Sequence, residues 1–169
     1  KYYKTKKIKI SNHASRIDWV SSLLIEYFKK KKKINYITES PHKYLPIVGW
    51  FRNLCEDIYV SKSFDKDKNT IINNINSYEK SNTDRDIVFC PEGVIADNNL
   101  YDIHMINDCQ EFCIKNNMKP FKYVLTPRYK GLSCLINNNS KYYSLTFAYV
   151  KNNKLMNTKL NDKNRTAPD

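Results

Sequence analysis

Residues 7–28 read KIKISNHASRIDWVSSLLIEYF, and the order of patterns within them decides the fold class. The first five residues alternate polar and apolar side chains, the period of a strand. From Ser15 the period changes. Ile17, Val20, Leu24 and Phe28 fall at three- and four-residue steps, an apolar stripe along a helix. The turn between them, Asn12-His13-Ala14, is short and polar. Ser15-Arg16-Ile17-Asp18 is a Ser-x-x-acid capping pattern, with Ser15 as N-cap and Asp18 at the third helical position. Strand, tight turn and helix together make the first half of a βαβ unit.

Working outward, the alternation continues. INYIT (34–38), DIYVS (57–61), DIVFC (86–90), YVLT (123–126) and YSLTFAYV (143–150) are expected strands. Residues 65–80 carry Ile71, Ile72, Ile75 and Tyr78 on one side of an expected helix, and Met105, Cys109, Phe112 and Cys113 mark another. Strands alternating with helices predict an α/β domain with a mostly parallel sheet flanked by helices. Ligands bind such sheets at the carboxyl ends of the strands. His13, Lys62, Glu92 and Arg128 each come just after an expected strand, so four polar groups are expected to converge on one site.

A chain of 169 residues suits one domain, here expected over 1–150, followed by a polar tail or truncated continuation over 151–169. The formal net charge of +12 points to a polyanionic partner: nucleic acid, an anionic membrane surface or a phosphate-bearing small molecule. Abundant Lys, Asn, Ile and Tyr would equally follow from a biased base composition. The five cysteines form no C-x-x-C pair and have no histidine at ligand spacing, so reduced thiols and no metal site are expected. No stretch approaches the roughly 18–20 apolar residues of a bilayer span, and no signal-peptide pattern is present. The chain opens on Lys, and membrane anchors are expected to lie outside this fragment.

His13 and Asp18 meet only if His13 lies in the turn and Asp18 in the first turn of the helix, because five residues along one helix separate two side chains by about 140°. Capping residues alone account for an acid in that place. A working pair needs the histidine as general base and the carboxylate on its other ring nitrogen, fixing the tautomer and stabilising the imidazolium. No G-x-S-x-G nucleophile is present, so such a pair suits direct activation of a substrate hydroxyl.

Asn12-His13-x-x-x-x-Asp18 resembles the first motif of the glycerophospholipid acyltransferases, and the blocks that follow resemble that family in order. Gly49-Trp50 and Ile58-Tyr59-Val60-Ser61-Lys62-Ser63-Phe64 look like the second block, with Lys62 at its basic position. Phe89-Cys90-Pro91-Glu92-Gly93 looks like the F-P-E-G-T-R block with one residue inserted or shifted. Val124-Leu125-Thr126-Pro127-Arg128-x-x-Gly131 matches the fourth. The wording of these blocks is similar to the branch holding lysocardiolipin and eukaryotic lysophosphatidic acid acyltransferases. The resemblance runs from about Ile8 to Val150. It departs at Val94-Ile95, where the family commonly has Thr-Arg or Thr-Asp.

The resemblance implies a single glycerolipid acyltransferase-like domain that moves a fatty acyl group from acyl-CoA to a lysophospholipid, with His13 as base and Asp18 orienting it. It implies that Glu92 and Gly93 help bind the acceptor and that Lys62 and Arg128 hold phosphate. Acyl-CoA enters as substrate and no cofactor is expected. Membrane association, at the endoplasmic reticulum, goes with that branch. The run Lys29–Lys33 and the aromatic, basic segment SPHKYLPIVGWFR (40–52) suit a lipid interface. Alternative readings are a catalytically inactive lipid-binding relative, a basic nucleic-acid-binding module, and a hydrolase using Cys90. His42 and His104 are read as surface or packing residues.

Overall fold

β1 (Lys7–Ser11) leads into the turn carrying His13, and α1 (Asp18–Lys30) follows it. The computed structural model describes residues 7–30, 33–61, 63–81, 83–95, 100–136, 141–156 and 160. β1 joins β2 (Lys33–Glu39), β3 (Ile58–Val60), β4 (Arg85–Phe89) and β5 (Lys141–Leu145) in one sheet of order β3-β2-β4-β1-β5. Every neighbouring pair is parallel, with Ile8 opposite Ile87 and Ile10 opposite Phe89. The expected α/β class is therefore the one observed. α2 (Val48–Leu54), α3 (Phe64–Lys80), α4 (Leu100–Lys115) and α5 (Tyr129–Ser133) complete it, with a 3-10 turn at Ser40–Tyr44 and a small hairpin of β6 (Val150–Lys151) and β7 (Lys154–Leu155).

This strand order creates the site. β1 and β4 are neighbours, but the chain leaving β1 passes over β4 to reach β2, while the chain leaving β4 passes over β1 in the opposite direction to reach β5. Connections that leave adjacent parallel strands in opposite directions open a crevice at their carboxyl ends. The residues just past those two ends are His13 and Glu92.

α3 buries Ile71, Ile75 and Tyr78 in a cluster with Ile8, Ile58 and Ile87, so its expected apolar face is its inner face. A second cluster joins Ile106, Leu125 and Leu160. The expected division at residue 150 falls at the start of β6, and Leu160 is buried, its N–H donating to the carbonyl of Lys122.

Three expectations need correction. The α1 stripe points to solvent: Ile17, Leu24 and Phe28 are exposed, and among the described side chains of α1 the fully buried ones are Asp18 and Ser22. α1 borders the crevice, where it presents Asp18 and Ser22. YVLT is not a strand. The Leu125 N–H goes to Glu92 Oε2 at 2.9 Å, and the Arg128 N–H goes to the Pro91 carbonyl at 2.8 Å. Its backbone partners are thus a side chain and a loop rather than a ladder. Residues 143–150 also do not form one strand. β5 ends at Leu145, and the Phe147 N–H is taken by Asn12 Oδ1 at 2.7 Å.

Candidate active site

The opening turn folds as its capping pattern predicts. Ser15 Oγ accepts the Ile17 N–H at 3.1 Å, and Asp18 Oδ2 reaches back to the Ser15 N–H at 3.0 Å, a reciprocal cap. The same oxygen accepts the Ala14 N–H at 2.7 Å and lies 3.1 Å from His13 Nδ1. With Nδ1–H donating to Asp18, Nε2 carries the lone pair that takes a proton. Asp18 is buried and His13 is partly open. The carboxylate is shielded while the base remains reachable.

Both residues line a cleft of about 1020 Å3. Its wall includes apolar side chains from β2 and β3 (Ile37, Val60), from the turn before α2 (Leu45) and from α4 (Met105). Glu92 is buried, and its two oxygens brace the loops: Oε1 accepts the His13 N–H and Oε2 the Leu125 N–H, each at 2.9 Å. Gly93 adopts φ +75°, which a glycine takes without strain. A Cβ there would stand 3.6 Å from Cδ and Nη1 of Arg128, so the guanidinium lies over this residue. Arg128 is exposed at the cleft, and Val94 and Ile95 line it beside Gly93. Four of the sequence-derived residues, His13, Asp18, Gly93 and Arg128, therefore meet at one cleft, with Glu92 tying its loops together. Lys62 lies outside the described residues.

Arg52 of α2 lines the cleft too, although its sequence context, the aromatic, basic segment 40–52, points to a lipid interface instead. It is 7% exposed, donates from Nε to Asp57 Oδ2 at 2.7 Å, and lies over the rings of Tyr36 (4.9 Å) and Trp19 (5.3 Å). Burial raises the Asp57 carboxyl, and the Arg52 charge opposes that. Gly49 lets α2 sit against the 3-10 turn, where a Cβ would come within 2.5 Å of the carbonyls of His42 and Lys43. His42 and His104 are exposed; His42 Nδ1 lies 2.9 Å from Thr38 Oγ1.

Cys90 faces the cleft, but burial first, then Asp18 and Glu92, push its thiol up to about 12. A nucleophilic cysteine needs a thiolate, and this environment opposes one. Among the described residues no cluster of His, Cys, Asp and Glu could hold a metal ion, and no helix is long and apolar enough to cross a membrane.

A protein-family model described as Acyltransferase matches residues 2–140. The chain belongs to the acyltransferase family. Among curated relatives, it is similar to mouse (Mus musculus) 1-acyl-sn-glycerol-3-phosphate acyltransferase epsilon, with 26% identity over 152 residues, 87% of this chain and 41% of that protein. It is similar to lysocardiolipin acyltransferase 1 of Gallus gallus, with 25% identity over 152 residues, 85% of this chain and 38% of that protein. The chain thus spans about two fifths of the length of the curated relatives it matches. No solved structure matches it. As an acyltransferase-family chain, it keeps the histidine and acid of the first motif in bonding contact and carries Val94-Ile95 in its third block.

Proposed function

We propose that this chain carries the acyl-transfer site of an acyl-CoA:lysophospholipid acyltransferase, with lysophosphatidic acid as acceptor and phosphatidic acid as product. The observation that carries the reading is the His13–Asp18 contact inside an apolar-walled cleft. His13 Nε2 removes the proton of the acceptor hydroxyl as its oxygen attacks the thioester carbonyl. The C–O bond forms, the C–S bond breaks, and the proton leaves with the CoA thiol. Asp18 keeps His13 in the tautomer that can do this and stabilises the imidazolium.

Arg128, with Lys62, is assigned to the acceptor phosphate, arginine through paired hydrogen bonds and lysine as a point charge. Arg128 over Gly93 supports this, since Val94-Ile95 offers no cation there. Gly93 lets the Arg128 guanidinium lie close against the loop at the acceptor site. Glu92 shapes the acceptor site by holding the His13 and Leu125 loops.

A membrane surface is the natural source of both substrates, and an endoplasmic-reticulum location goes with that reading. Ile17 just before α1 and Leu24, Ile25 and Phe28 of α1 are exposed, as are Tyr44, Ile47, Trp50 and Leu54 around α2. The two helices are neighbours, since Arg52 stacks on Trp19. The lysine run Lys29–Lys33 in the sequence supports an anionic lipid surface as their partner.

The test is CoA release from a long-chain acyl-CoA in liposomes, with lysophosphatidic acid, another lysophospholipid or no acceptor, for the full chain and His13→Ala. Acceptor-dependent release that falls by roughly 10²- to 10⁴-fold in His13→Ala is expected. Release without acceptor would mean a thioesterase. No release from folded wild type would move the chain to a lipid-binding relative.

A further inference from the structure

Asp18 has two carboxylate oxygens, and the catalytic turn uses one. Oδ2 takes His13 and the N–H groups of Ala14 and Ser15. Oδ1 accepts the phenol O–H of Tyr149 at 2.7 Å, across 131 residues of sequence. Tyr149 lies between β5 and β6, and that segment is bound to the turn it serves. Asn12 Nδ2 donates to the Phe147 carbonyl at 2.9 Å, and Asn12 Oδ1 accepts the Phe147 N–H at 2.7 Å. Asn12 adjoins His13, so this two-way bond fixes the segment beside the base. The rings of Phe147 and Tyr149 stack at 6.4 Å, Ser21 Oγ lies 3.4 Å from the phenol, and the Met156 N–H holds the Tyr149 carbonyl at 2.9 Å. Backbone, ring and hydroxyl of Tyr149 are thus each held by a different neighbour.

We propose that Tyr149 is a positioning residue of the site: its hydroxyl holds Asp18 Oδ1 and thereby sets how Oδ2 faces His13. This rests on the acyl-transfer reading above for its catalytic consequence, though not for its geometry. Without the phenol, the carboxylate is anchored through Oδ2 alone and keeps its freedom to tilt about the Cβ–Cγ bond. The phenol also draws carboxylate charge toward Oδ1, so it tunes the His13–Asp18 hydrogen bond as well as aiming it. No bond to Tyr149 forms or breaks during turnover. Its proton stays in place, because burial first, and the Asp18 hydrogen bond and charge after it, push the phenol up to about 12 against the opposing pull of Ser21 and Ser15. Asp18 itself touches His13, which touches substrate; Tyr149 acts through both.

The test compares the full chain with Tyr149→Phe, which keeps the ring and its stack and removes the hydroxyl, and with 3-fluorotyrosine at 149, a stronger hydrogen-bond donor. Two readouts are taken: kcat and KM for acyl transfer, and the low-field proton resonance of His13 Nδ1–H, assigned by its loss in His13→Ala. In Tyr149→Phe, kcat is expected to fall about tenfold, the scale of one hydrogen bond to a charged group, with KM within about twofold. The resonance is expected to move in Tyr149→Phe and to move in the opposite sense with 3-fluorotyrosine. A structural strut would not produce that reversal. An unmoved resonance in both variants overturns the proposal, and so does a loss of kcat that merely tracks a loss of folded protein. If Tyr149→Phe fails to fold, the fluorotyrosine arm decides alone. The resonance needs no turnover: a responsive resonance in a protein that transfers no acyl group sinks the acyl-transfer reading and keeps the positioning role. Normal transfer with an unresponsive resonance does the reverse.

Discussion

α3 turns Ile71, Ile75 and Tyr78 inward and leaves Lys66, Lys68, Asn73 and Glu79 in water, whereas α1 buries Asp18 and Ser22 and exposes Leu24, Ile25 and Phe28, the last at 79%. Both helices carry an apolar stripe at helical spacing. The difference lies in what each one packs on. α3 packs Ile75 and Tyr78 against Ile58 and Ile87, and only its first two turns, with Phe64, Asp67 and Ile71, reach the cleft. α1 begins at the switch point, where the sheet opens into a cleft, and its inner face supplies an acid to that cleft. Helical period thus reports that a helix exists, and the neighbour decides which face is inside.

That contrast can be broken at three levels. The largest effect belongs to the inner face of α1. Asp18→Asn is expected to lower kcat by at least about 10²-fold while the far-ultraviolet spectrum stays native, since Asn still accepts backbone N–H bonds. A variant with unchanged kcat would reduce Asp18 to a helix cap. Next comes the inner face of α3. Ile75→Ala is expected to cost about 2–5 kcal/mol in urea denaturation, for a buried isoleucine whose space cannot fully close. A loss under about 1 kcal/mol would mean that Ile75 is not packed in the core cluster as described. The smallest effect on the fold belongs to the outer face of α1. Leu24→Gln with Phe28→Gln is expected to change stability by no more than about 0.5 kcal/mol yet to weaken sedimentation with anionic liposomes severalfold. Strong destabilisation with unaltered liposome binding would show that this face is covered by protein rather than lipid.

The first βα unit was legible because it is local. Alternation in β1, the Ser15–Asp18 cap and a polar turn lie within a dozen residues, and the reciprocal cap by itself brings Asp18 to His13. The parallel sheet was legible from alternating strands and helices. The 123–126 and 143–150 segments were misjudged because β-type residues there take their partners from loops and side chains, Glu92 and Asn12 above all. Glu92 was found by its motif, but its motif did not disclose that both oxygens would hold backbone. Tyr149 carried no signal, and Arg52 reads only as part of the basic, aromatic segment 40–52 suited to a lipid interface, whereas it is buried against Asp57.

By itself the sequence put a histidine in a turn and an acid at the helix cap five residues on, close enough to meet at the end of an expected parallel strand, because a cap of that length needs no other part of the chain. Only the tertiary structure decided what surrounds that pair. Placing β4 beside β1 brought Glu92 under His13, and laying β5 on the other side of β1 delivered Tyr149 to Asp18. Those contacts depend on which strands become neighbours. That choice is made by burial of the whole sheet against its helices, and no local pattern of residues encodes it.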